Sequence, residues 1–332
     1  VQSSLQASKQ FLTIKRGIMI TIDSTKLRIP LHEVDVIDSA LNETRYETNV
    51  HGDLLREWKN NKLKIVESGI KTHYGIESQV DKNKKSSMYL VILFNSKLLR
   101  GRYLEGVTLD NCEVVYKELM SQGVVSMPFE TFLRGELTDT DFKKDLIIPP
   151  SHFDFMLSKA MEYAHEYAQR DRGYNPFRKK DNKGIEFGER KKATVSYPYL
   201  KYYSKFLEMY ANEDSDSFLF AKTFGIIVDE NTVRSEFTVK NRQQWKKYGI
   251  EKTSLGYLLS LDQDKLEEIM SIIVSVHLLP RTSNKTANMV GLKPEEIINA
   301  RSIQLLLDNG LSINFICNAL VEKISDRHTK SR

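Results

Sequence analysis

The sequence predicts an α+β fold on two observations. Strand-like stretches, apolar or alternating, recur from residue 18 to about 240, whereas beyond Gly249 the pattern turns helical, with Pro280, Gly291, Pro294 and Gly310 as punctuation. A boundary is therefore expected near residue 250, separating residues 1–250 from a mainly helical region at 251–332.

In chain order, residues 1–16 are polar without a sustained pattern, and GIMITIDSTKLRIPL reads as strand, a short turn at Asp23–Ser24, and more strand ending at Pro30. No single period holds from Val34 to about Gly75. The run SMYLVILF at 87–94 is apolar throughout, which suits a strand central in its sheet. Residues 95–102 (NSKLLRGR) add basic side chains and a glycine turn. Leu109, Cys112, Val115, Leu119 and Met120 then recur at helical spacing, and Gly123 closes that helix. After the acid-bearing, strand-like segment at 132–148 and Pro149–Pro150, Ser151 can cap a helix over 152–169 with Phe155, Leu157, Ala160, Met161 and Ala164 inward. A short strand at 184–190 leads to YPYLKYYSKFLEM at 197–209, read as strand, and NEDSD at 212–216 is a loop. In the strand at 231–240, Val233, Ser235, Phe237 and Val239 face one way, and Arg234, Glu236, Thr238 and Lys240 the other. Helices are expected at 253–260, 263–279, 293–308 and 311–324. The last two, joined about Gly310, fit a helix-turn-helix DNA reader and equally an ordinary helical hairpin.

At 332 residues with 40% hydrophobic content the chain can bury a sizeable core, yet no apolar run approaches the roughly 18 residues of a membrane span. The first residues lack the basic-then-apolar order of a signal peptide, so a cytoplasmic location is expected. Cys112 and Cys317 lie far apart without a CxxC partner, so neither a disulfide framework nor a cysteine zinc site is indicated. No GxxxxGK[ST], GxGxxG or Ser/His/Asp hydrolase signature is present. The net charge is +5, and residues 178–192 concentrate it with seven Lys/Arg against three acids. Lys179, Lys180, Lys183, Lys191 and Lys192 in that run fit either a solvated loop or an anionic partner.

Period-two alternation puts Tyr199, Lys201, Tyr203 and Lys205 on one face of their strand, with Leu200 and Tyr202 on the other. A phenol flanked by lysines suits a nucleophile that attacks a polyanion, because the cations offset the substrate's charge and favour phenolate. The same stretch also fits an amphipathic strand with an interfacial tyrosine and snorkelling lysines. Upstream, Asp139 and Asp141 share a face, and two close carboxylates repel unless a cation or hydrogen bonds offset them. A hard divalent ion such as Mg²⁺ or Mn²⁺ would do so, and a strand end running into an acidic turn is the plainer account.

Four blocks, TIDSTKLRIPL, FLRGELTDTDFKKDL, GIEFGERKKATVSYPYLKYYSKFLEM and VRSEFTVKNRQQWKKYGI, lie in the order in which similar blocks occur in the rolling-circle replication initiators of filamentous phages and related plasmids. Together they cover about residues 18–250, which resemble that family; nothing specific follows. The resemblance implies an antiparallel β-sheet nuclease core with flanking helices over residues 1–250, and a helical region at 251–332 serving DNA binding or oligomerisation. It implies that Tyr203, two residues before Lys205, is the nucleophile, that Lys205 and Arg190 support it, and that the product is a 5′-phosphotyrosine with a free 3′-OH. The family's aspartate-plus-four spacing falls on Asp141 and Asp145. No pair of histidines separated by one residue is present, so a metal, Mg²⁺ or Mn²⁺, would rest on carboxylates: Asp141 and Glu236 first, then Asp139, Asp145 and Glu208, with Glu136 able to replace one. Lys201, Arg234 and Lys240 join the basic loop as DNA contacts. The implied partners are origin DNA with a single-stranded or cruciform nick site, host helicase and polymerase, and a second copy as homodimer, with no membrane. A mobilisation relaxase or tyrosine transposase would share this chemistry, and a non-catalytic origin-binding or regulatory protein would need only the DNA contacts.

Overall fold

The structure is a computed structural model that describes residues 19–41, 43–48, 50, 54–59, 61–80, 86–167, 174–179, 182–194 and 197–278. The helices expected at 293–308 and 311–324, Cys317 and Lys180 lie outside the described residues. The fold is α+β. In chain order the strands are β1 (Thr21–Pro30), β2 (Asp35–Val36), β3 (Thr44–Thr48), β4 (Leu54–Lys59), β5 (Lys62–Glu67), β6 (Ile70–Val80) and β7 (Ser86–Asn95). They continue as β8 (Val125–Ser126), β9 (Glu136–Ile147), β10 (Tyr174–Lys179), β11 (Asn182–Phe187), β12 (Tyr199–Ser204) and β13 (Thr232–Val239). Nine form one antiparallel sheet in the order β10-β11-β12-β13-β9-β1-β7-β6-β5, and β2–β8 and β3–β4 are separate pairs.

One face of the sheet is apolar and covered. Phe187, Leu200, Phe237 and Phe142 stand in register across β11, β12, β13 and β9, with the last two rings stacked at 5.2 Å and Trp245 edge-on to Phe142 at 5.6 Å. Burying each such ring contributes roughly 1.5–3 kcal/mol. Farther along, Leu27, Ile29, Leu90, Ile92 and Phe94 continue this face, and the helix Cys112–Ser121 adds Val115 and Leu119. The central run at 87–94 is accordingly β7, flanked by β1 and β6. The helices Leu255–Leu259 and Gln263–Leu278, assigned from sequence to the C-terminal region, belong to the compact unit that runs to Leu279, with Leu255, Leu258, Ile269 and Ile273 buried in its core. Among the described residues no helix is long and apolar enough to cross a membrane.

Three local expectations change. Asp23–Ser24 is no turn: β1 runs through it, with a register shift against β9 between Ile22 and Ser24. In the helix Pro150–Tyr167 it is Phe153, not Phe155, that faces inward with Leu157; Phe155 is 64% exposed. Finally, β12 ends at Ser204, whose hydroxyl accepts a hydrogen bond from the Leu207 amide and caps the helix Lys205–Tyr210. Lys205 is therefore a helix residue and does not continue the strand.

Candidate functional site

The other face of β9, β13, β12 and β11 is polar, and strand register explains its arrangement. Glu186, Lys201, Glu236 and Lys143 form one row across the four strands, with charges alternating in sign. The next row is Gly184, Tyr203, Arg234 and Asp145. On the other side of the charged row, Tyr199, Thr238, Asp141 and Ser24 reach across to β1. Opposite charges facing one another across strands stabilise each pairing.

Tyr203 is 3% exposed and donates its hydroxyl to Glu236 Oε1. The Lys201 ammonium stands 3.9 Å from the centre of its ring and that of Lys205 5.9 Å. Burial and the Glu236 charge push the phenol well above its ordinary pKa, more than Arg234 offsets. Tyr203 is a hydrogen-bond donor in this arrangement, and desolvation works against the phenolate that the nearby cations were expected to favour. Burial also raises Glu236, against the pull of Lys201. Tyr199, on the same face, donates to Glu186 at 2.8 Å, and burial and that hydrogen bond raise its pKa. Tyr202 faces the other way, against the core.

Below this pair lies a buried ion cluster centred on Arg234, which is 0% exposed. Its guanidinium donates to both oxygens of Asp145 at 2.6 and 2.8 Å, to the Tyr103 hydroxyl at 2.9 Å and to Asp23 at 3.4 Å. Burial alone would raise Asp145, but Arg234 and Lys143 hold it down to about 2. Lys205, 1% exposed, donates to Tyr103 at 2.6 Å and to Glu208, which also accepts from Ser217 at 2.7 Å. Burial would likewise raise Glu208, and Lys205 overrides it, again to about 2. Lys143 donates to the carbonyls of Leu104 at 2.9 Å and Tyr103 at 3.3 Å, and burial together with Arg234 lowers it to about 8. Gly106 makes this approach feasible. Its φ is +68°, and a Cβ there would lie 2.1 Å from Thr21 Oγ1 and 2.9 Å from Lys143 Cε.

Most of the carboxylates named for a metal are engaged here by side chains of the chain itself. Among the described residues, no group of three or more His, Cys, Asp or Glu side chains is placed to hold an ion. Asp141 accepts from Ser24 at 2.6 Å, from Thr238, and from Arg190 at 2.9 and 3.2 Å, which fills its four lone-pair sites. Arg190 also donates to Asp139 at 3.1 Å, so the cation that offsets these two carboxylates is a guanidinium of the chain itself. Burial raises Asp139 even so. Asp145 and Glu208 are spent on Arg234 and Lys205, and Glu136 pairs with Arg28 at 2.9 Å.

The predicted DNA contacts divide. Arg234 is sealed in the ion cluster and does not stand open for a phosphate, and Lys183 pairs with Asp154. Lys191 and Lys192 are exposed on the turn after β11, Lys192 pairing with Glu189 at 2.9 Å. Lys240 reaches the Lys191 carbonyl at 3.4 Å and Asp139 at 3.8 Å, and Lys201 lies half-buried on the polar face. Lys179 is in β10, its side chain outside the description. Sequence reasoning missed Asp23, Lys143, Glu186 and Tyr103. Carrying the β9 alternation two residues beyond Asp141 would have found Lys143; nothing in the irregular segment Ser96–Glu105 signals Tyr103.

No protein-family model matches the chain, and no curated protein matches it. Among solved structures it is similar to one titled "Structure of Rolling Circle Replication Initiator Protein from Geobacillus stearothermophilus", with 9% identity over 79% of this chain and 98% of that one and a TM-score of 0.30.

Proposed function

We propose that this chain is a DNA strand transferase of the rolling-circle initiator type, which nicks one strand through Tyr203 and can rejoin it. The observation that supports this reading most is the Tyr203–Glu236 hydrogen bond on a polar sheet face bordered by Lys201, Lys191, Lys192 and Lys240. Because burial raises the phenol's pKa, it needs a base to take its proton as it attacks. Glu236 is the base in reach, and its raised pKa makes it a stronger one than an ordinary carboxylate.

In the reaction, Tyr203 Oη forms a bond to the scissile phosphorus as its proton passes to Glu236. The bond from phosphorus to the 3′-oxygen breaks in line, and that oxygen takes a proton from water. The products are a 5′-phosphotyrosine and a free 3′-OH able to prime a polymerase. The phosphotyrosine keeps the energy of the broken phosphodiester, so the reverse attack rejoins the strand without a nucleotide cofactor. Lys201, already above the Tyr203 ring, is placed to meet phosphate charge. Origin DNA is the substrate on this reading, with host helicase and polymerase acting afterwards.

The burial of Tyr203 favours a second reading, a non-catalytic DNA-binding protein, in which the tyrosine is a structural hydrogen-bond donor. Supercoiled DNA carrying the chain's own replication origin, incubated with the protein with and without Mn²⁺, separates the two. Nicked circles with protein attached through Tyr203 support the first, and bound but intact circles support the second.

A further inference from the structure

The polar face does not stop at β9. Across β5, β6, β7 and β1 the row continues as Lys64, His73, Leu93 and Lys26, and Lys26 stands opposite Asp139, the carboxylate clamped by Arg190. One row over are Lys62, Gly75, Val91 and Arg28. Between these rows lies a groove of ≈ 360 Å³. Its floor is apolar and lowered by the missing side chain of Gly75, with Leu93 38% exposed beside it. Its outer wall carries Lys62 and Lys64, both exposed and two residues apart on β5, hence about 6.6 Å from one another. Lys26, on the inner wall, is tied to Glu77 at 2.8 Å. His73 is exposed at the centre, flanked by Lys64 and Lys71.

Cations along the rim and apolar surface on the floor suit a polyanion whose bases are free to lie down. A duplex keeps its bases stacked inside and would meet only the lysines. A single strand can set phosphates against the ammonium groups and lay apolar base faces on the floor, contacts that read no base edge. We propose that the groove on β1, β7, β6 and β5 binds single-stranded DNA, namely the strand flanking the phosphate brought to Tyr203. This rests on the strand-transfer reading for its place in the reaction, although the groove's binding chemistry does not.

The test is fluorescence anisotropy with labelled oligothymidylate on the full chain, wild type against the double variant Lys62→Gln/Lys64→Gln, over a salt series. The double variant should lose roughly tenfold in affinity. The slope of log affinity on log salt should fall by about 1.4, two single-strand contacts at about 0.7 each. Leu93→Ser should weaken binding without changing the slope, because it removes floor and no charge. An unchanged slope in the double variant overturns the proposal, as does equal affinity for a duplex of the same length or equal competition by polyglutamate. The strand-transfer reading fails separately: if wild type forms no adduct on origin DNA while the slope still drops, the groove stands and the nicking does not.

Discussion

Tyr203 and Glu236 are diagonal neighbours: the tyrosine stands directly opposite Arg234, yet its hydroxyl reaches one step along β13 to the glutamate. Lys201, which stands opposite Glu236, leans the other way over the tyrosine ring. The two strands thus exchange partners crosswise, and the phenol is oriented by two neighbours at once.

Tyr203→Phe should fold, at a cost of about 1 kcal/mol for the lost hydrogen bond, bind DNA, and form no covalent adduct. Tyr202→Phe, altered on the core side, should form adduct at close to the wild-type rate. Mass spectrometry of the trapped peptide decides, and a nucleotide on Tyr202 or Tyr199 would move the nucleophile.

Glu236→Gln still accepts the tyrosine's hydrogen bond and cannot take its proton. Cleavage should fall by about 10²–10⁴-fold while DNA affinity holds. Single-turnover cleavage measured beside equilibrium binding separates the two quantities, and wild-type cleavage by this variant would remove the proposed base.

Arg234→Met leaves Asp145 buried without its partner and should cost about 3–5 kcal/mol in urea unfolding. Joining it with Asp145→Leu should recover much of that loss, since the stranded charge is gone. A double variant as unstable as the single one would mean that Tyr103 and Asp23, not Asp145, dominate the cluster.

Acid should loosen this cluster in a defined window. Asp145 and Glu208 both sit near 2, below their ordinary values of 3.8 and 4.5. Their stabilisation is fully present above about 4.5 and is lost as pH falls toward about 2, on the order of 2 kcal/mol per group. Unfolding midpoints across that range should drop more steeply for wild type than for Asp145→Asn.

Arg190→Gln should also matter more at neutral than at acid pH. Burial raises Asp139, so its charged form costs stability above the carboxylate's ordinary value, and removing Arg190 enlarges that cost at neutral pH. The loss should be about 1 kcal/mol near pH 7, modest because Arg190 is 39% exposed, and should shrink at about pH 3, where acid neutralises Asp139 with its raised value. Urea midpoints at the two pH values check it.

How much of this was readable in the sequence depended on regularity. The two faces of β13 and the separation of Tyr203 from Tyr202 followed from alternation, because those strands pair without a register shift. Lys205 was misplaced because alternation was carried through Ser204, although serine is a favoured residue just ahead of a helix. Asp23 looked like a turn residue because the bulge after Ile22 breaks the period of β1. The Arg190 clamp on Asp139 and Asp141 lies 49 or more residues away in sequence, and only sheet order brings it there.

The alternating charges of β9 and β13 also act as a proofreader of strand alignment. On the apolar side, a slide of two residues would still leave side chains facing the core, with Phe237 opposite Thr140 in place of Phe142. The other side forbids it. Sliding one way sets Glu236 against Asp141 and Arg234 against Lys143, and sliding the other way sets Glu236 against Asp145. Like charges directly opposed disfavour both misalignments, so a chain collapsing on its hydrophobic residues is steered to the single pairing that builds the site.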